Sequence, residues 1–106
     1  MDKREMIGQI RMCIDKSQYG KGIKLAEKAI GIMPTSPVVH NLMGVLLEKQ
    51  NRHVQAIQQY KVACELDMSY EPAHQNLERY GIFFPLHNCA YCKERMFLMQ
   101  KALKEI

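Results

Sequence analysis

Two amphipathic stripes of helical spacing, separated by a short polar break, constrain this chain more than any other feature. Val39, Leu42, Met43, Leu46 and Leu47 form the first, at intervals that gather them on one face of a helix. Ser36 is placed to cap that helix, and Pro37 falls at its first position, where a missing N–H costs nothing. Glu48-Lys49-Gln50-Asn51-Arg52 interrupts the stripe. A second one follows through Val54, Ile57, Tyr60, the aliphatic stem of Lys61, Cys64 and Met68. Two such helices joined by a polar turn make a helical hairpin. A hairpin of this kind exposes an apolar face that only stacking on further helices can bury.

These residues resemble the tetratricopeptide repeat (TPR). Gly44 falls where that family places the small residue of its first helix. Asn51 holds the turn position usually taken by Gly, Ala56 and Ala63 hold small-residue positions of the second helix, and Tyr60 the aromatic one. His40 stands where the first helix usually has an aromatic, and Met68 where the repeat ends in Pro. At the family's period of about 34 residues, Gly22, Ala26, Ala29, Ile30 and Pro34 align with Ala56, Tyr60, Ala63, Cys64 and Met68. One period forward, His74, Leu77 and Ala90 align with His40, Met43 and Ala56. A first helix over residues 2–16 departs from the motif.

The resemblance implies an all-α fold: a right-handed α-α superhelix, a TPR-like solenoid, of about three helical hairpins with a C-terminal capping helix. Residues 1–106 form one domain, with repeats over 3–36, 37–70 and 71–106. The cap is read from the stripe Leu86, Cys89, Cys92, Met96, Met99, Leu103 and Ile106. Phe97 and Leu98 widen it enough to pair with a second copy of the chain. The apolar turn Gly81-Ile82-Phe83-Phe84-Pro85 is expected to wedge into the core beneath the third pair; exposed, it would mark a partner surface.

Function follows from the same resemblance. In this family the first helices of each pair line a concave groove that binds a peptide or protein segment. The corresponding residues here are Arg4, Ile7 and Arg11, then Asn41, Val45 and Glu48, then Gln75 and Arg79. Asn pairs with peptide backbone and Arg makes bidentate bonds to carboxylates, so the expected ligand carries acidic side chains or a free C-terminus. The carboxylate clamp of co-chaperone repeats is not reproduced: Ile7, Leu42 and Pro72 occupy its positions, and chaperone tails are not expected ligands.

Composition narrows the other classes. The 106 residues carry 15 Lys and Arg against 11 Asp and Glu, a net charge of +4. The signs interleave along the chain, unlike the clustered footprint of a nucleic-acid binder. Hydrophobic residues at 47% suit a soluble globular protein, and eight Met fill core space in a chain without Trp. No run is apolar enough to span a bilayer or serve as a secretory leader, so the expected location is the cytoplasm. There the four Cys are expected as reduced thiols.

One segment offers an alternative chemistry. In His87-Asn88-Cys89-Ala90-Tyr91-Cys92, Asn88 can cap a helix whose dipole lowers the thiol pKa of Cys89. His87, Cys89 and Cys92 could then serve a thiol-redox or metal-responsive regulator. Zinc prefers four ligands and no second pair is present, so the bland reading, two thiols in an apolar stripe, is preferred, and no metal or cofactor is expected. A homodimeric structural module is the other alternative. Gly20-Lys21-Gly22 lacks the strand and spacing of a phosphate loop and reads as the turn between the first two helices. Glu27 with Lys24, and Glu48 with Arg52, read as surface pairs. No enzyme is expected.

Overall fold

Local chemistry starts and stops each helix. In the computed structural model, which describes residues 2–81, the helices are α1 (Lys3–Asp15), α2 (Tyr19–Ile32), α3 (Pro37–Lys49), α4 (His53–Leu66) and α5 (Glu71–Arg79), with no strand among the described residues. Asp2 caps α1 by accepting the Glu5 N–H at 2.8 Å, and Ser36 Oγ accepts from the Val39 N–H at 3.4 Å. Pro37 and Pro72 stand in the first turns of α3 and α5, where their fixed φ suits the helix. Between α1 and α2 Ser17 has φ 59°, and between α3 and α4 Asn51 has φ 62°. Asn tolerates the left-handed region better than Ser. Ser17→Gly is therefore expected to raise stability by about 0.5–1 kcal/mol, visible as a higher melting temperature by circular dichroism; Asn51→Gly should gain less. A lower melting temperature for Ser17→Gly would contradict a strained turn.

The helices are laid out at equal steps. α1, α3 and α5 begin at residues 3, 37 and 71, and α2 and α4 at 19 and 53, so every step is 34 residues. Each helix packs on the next in the chain. Beyond that, α3 touches both α1 and α5, whereas α2 and α4 make no direct backbone-level approach to each other. The odd helices thus form one continuous row and the even helices a second, more widely spaced one.

Small residues set the spacing between rows. A Cβ built on Gly22 of α2 would lie 2.6 Å from Leu46 Cδ2 and 3.1 Å from Cys13 Cβ. One built on Gly44 of α3 would overlap Cε1 of Tyr60 and lie 2.7 Å from its Cδ1. Val39, Leu42, Met43, Leu46 and Leu47 are all buried, as their spacing predicts. The α4 stripe differs from expectation. Its buried members are Ala56, Tyr60, Ala63 and Cys64, while Val54 is 72% exposed, and Met68 and Lys61 also face solvent. The two alanines bring α4 so close to α3 that only a narrow face is covered.

His40 and His74, one step apart, do the same job. Each Nε2 donates to the carbonyl of the residue six back, His40 to Pro34 at 2.9 Å and His74 to Met68 at 2.7 Å. A carbonyl can only accept, which fixes the proton on Nε2. A ring that ties down the incoming loop accounts for imidazole at both positions. Gly20 and Gly22 lie inside α2, not in the turn before it, which is residues 16–18. The apolar residues 82–85, the expected cap over 86–106, and His87, Cys89 and Cys92 lie outside the described residues.

Candidate peptide-binding face

The odd row brings together side chains that are distant in sequence, and it sorts the eight expected contact residues into three groups. Arg4, Arg11, Gln75 and Arg79 are exposed. Ile7 and Val45 are half-buried against the core. Asn41 and Glu48 are already engaged. Asn41, expected on the open face, is only 6% exposed, and its Oδ1 accepts from Asn76 Nδ2 at 2.8 Å across the α3/α5 seam.

Glu48 is the acceptor at the centre of that seam. The Tyr60 hydroxyl donates to its Oε2 at 2.8 Å and the Tyr80 hydroxyl to its Oε1 at 2.7 Å. Arg79 Nη2 lies 2.9 Å from Oε2 and 3.3 Å from Oε1, and also donates to Asn76 Oδ1. The surface pairing of Glu48 with Arg52 expected from sequence is not formed; Arg52 instead donates to Gln55. Since Tyr80 donates to Glu48, its oxygen is left to accept from His53 Nδ1 at 2.9 Å. Three helices, α3, α4 and α5, therefore meet on one carboxylate.

Burial raises the Glu48 carboxyl, but the hydrogen bonds from Tyr80 and Tyr60 and the Arg79 charge outweigh it and hold the group below its ordinary value. Burial, then the hydrogen bond and charge of Glu48, push the Tyr80 hydroxyl up to about 12, and the same causes raise Tyr60 further. At the other seam, burial raises the Tyr70 hydroxyl, and the Arg11 charge and the Asn41 side chain oppose it. Arg11 of α1, Asn41 of α3 and Tyr70 at the start of α5 are thus brought onto one face.

Asn76, Tyr80, Tyr70 and His53 were missed by sequence reasoning. A signal was present. Two of the α3/α5 bonds join residues 35 and 31 apart, one step plus one residue and one step less three, as expected of neighbouring positions on stacked helices. The same rule at α1/α3 selects Ile7 with Leu42 and Ile14 with Val45, all buried or packed on the core. One seam is apolar and the next polar.

Among the described residues no group of three or more His, Cys, Asp and Glu is arranged to hold a metal, and Cys13 and Cys64 are buried and not joined in a disulfide. No described helix is long and apolar enough to cross a membrane. No protein-family model matches the chain. Over 82 residues it is 35% identical to a Caenorhabditis elegans protein named as a protein O-mannosyl-transferase, a stretch that covers 76% of this chain. The chain spans 11% of the length of that relative, so the likeness is to one small portion of a much longer protein.

Proposed function

We propose that this chain is a TPR-like interaction module without catalytic activity, a right-handed superhelix that binds an acidic peptide or protein segment along its odd helices. The observation that carries the reading is the continuous row of α1, α3 and α5 at equal steps. Even helices whose backbones approach the odd row more closely than one another belong on the outside of a curve, which leaves the odd row on the inside. Arg4 and Arg11, both exposed, stand seven residues apart on one face of α1, about 10 Å along its axis. Carboxylates three residues apart on a polyproline-II chain share one face at nearly the same spacing, about 9 Å. The seam bonds of Asn41 and Glu48 hold the neighbouring helices in fixed relation beneath such a ligand.

The test is fluorescence anisotropy with a labelled extended peptide bearing two glutamates three residues apart. Binding should weaken with added salt, and Arg4→Glu/Arg11→Glu should weaken it by about tenfold or more with the thermal melt unchanged, since both side chains are in solvent. Equal affinity in the variant would remove the acidic-peptide reading.

A further inference from the structure

The 34-residue step relates two grooves as well as two sets of helices. One, of about 370 Å³, lies between α3 and α4, with Met43, Leu47, Arg52, Gln55 and Gln59 among its walls. The other, of about 380 Å³, lies between α1 and α2, and Gln9, Cys13, Gln18, Lys21 and Leu25 in its walls are the same five positions one step earlier. The grooves differ in what closes them. The α3/α4 groove has a third wall, the α2 face carrying Ile23, Glu27 and Ile30. Among the described residues, the α1/α2 groove is walled only by α1, α2 and the turn between them.

We propose that the α1/α2 groove is a docking site for an amphipathic helix of a partner protein, one with two aliphatic residues seven apart and a carboxylate between them. The molecule itself supplies the template, because α2 presents that pattern to the equivalent groove. Gly22 sits on Leu46 at this contact, and the position equivalent to Leu46 is Met12, which stands 54% exposed. Charge selects the occupant further. Lys16 and Lys21 line the open groove, and among the described residues no carboxylate does, whereas in the closed one Glu27 of the incoming helix shares the groove with Arg52. The docking helix is therefore acidic on the flanks of its apolar face. This surface lies on a different side of α1 from Arg4 and Arg11, by about a third of a turn, and does not depend on how the odd row is used.

A suitable probe is a labelled peptide with the sequence of Tyr19–Ile32 in which the three lysines are replaced by Glu, and Gly20 and Gly31 by Ala to favour helix. Titrated with the full chain, it should give saturable anisotropy. Met12→Glu in the protein, and separately Lys16→Glu/Lys21→Glu, should weaken binding by about tenfold without lowering the melting temperature, because these side chains are exposed. Replacing the two groove-facing isoleucines of the peptide, those at positions 23 and 30, by Ser should abolish binding, and Arg4→Glu/Arg11→Glu should leave it unchanged. Absence of saturation, or affinity indifferent to both groove variants, overturns the proposal. So does a dimer by light scattering that Met12→Glu dissolves, which would give the groove to a second copy of this chain.

Discussion

Replacing Tyr60 by alanine is expected to lower the unfolding free energy by about 4 kcal/mol, a large fraction of what a domain of this size has. Tyr60 is fully buried at 0% exposure, its ring lies on the bare backbone of Gly44, and its hydroxyl holds Glu48. Truncation leaves a cavity between α3 and α4 and removes one donor from a half-buried carboxylate. Gly44→Ala attacks the same contact from the other side. The ring cannot retreat, because its hydroxyl is fixed to Glu48, so the added methyl should cost about 2 kcal/mol. The two changes are not independent. Once the ring is gone, an alanine at position 44 meets empty space and gains helix propensity worth up to about 1 kcal/mol over glycine. A double-mutant cycle by urea denaturation should show Gly44→Ala changing sign, from destabilising in the parent to neutral or stabilising beside Tyr60→Ala. Strictly additive losses would mean that the two residues are not in contact.

Much of that contact was readable beforehand, for a physical reason. The resemblance to the TPR motif implies a small residue at position 44, a turn at 51 and an aromatic at 60, and a small residue facing an aromatic lets two helices close on each other. Turn chemistry was readable where a left-handed residue is common in the type: Asn51 fits, while Ser17, one step earlier at φ 59°, carries no such mark. The outer half of α4 was misjudged because Val54 and Met68 are apolar and in register. How far a helix sinks is set by the size of its small residues, and periodicity does not contain that. Gly20 and Gly22 were read as a turn from their conformational freedom, yet Gly22 is needed inside α2 for close approach to Leu46.

Which helices carry the eight residues was legible; the burial of Asn41 and the connections among them were not. Register alone located Asn41, Glu48 and Arg79 on the odd helices. It gave no indication that they are joined to one another, since that depends on which residues of α5 lie across the seam. Asn76 and Tyr80 are ordinary polar residues in isolation; their roles appear only when the step of 34 is combined with the stagger between stacked helices. Arg4 and Arg11 are exposed, as their register on α1 led one to expect.

The second large effect concerns Glu48 and carries a pH signature. Glu48→Gln is expected to cost about 2 kcal/mol near neutral pH, because an amide accepts from one tyrosine but loses the charge that both hydroxyls and Arg79 address. In the parent protein the folded-state value of the carboxyl is depressed, so its contribution is complete above the unfolded carboxylate value and drains away as pH falls through the folded one. The gap between parent and variant should therefore close on the acid side, below about pH 4. The alkaline side works in the opposite sense. Tyr80 is raised, to about 12, so its contribution is complete below the unfolded value near pH 10 and is lost as pH climbs through the folded one. Part of that rise survives in the variant, since burial is its first cause, and the alkaline limb should be shallower without vanishing. Urea unfolding of both proteins across this range reads the difference directly; curves that stay parallel from neutrality into acid would show that the charge of Glu48 contributes nothing. The Asn41–Asn76 bond across the same seam is neutral on both sides and does not titrate. Acid should thus weaken the α3/α5 junction while leaving one tie in place, so the odd row loosens at that seam before the apolar α1/α3 seam responds at all.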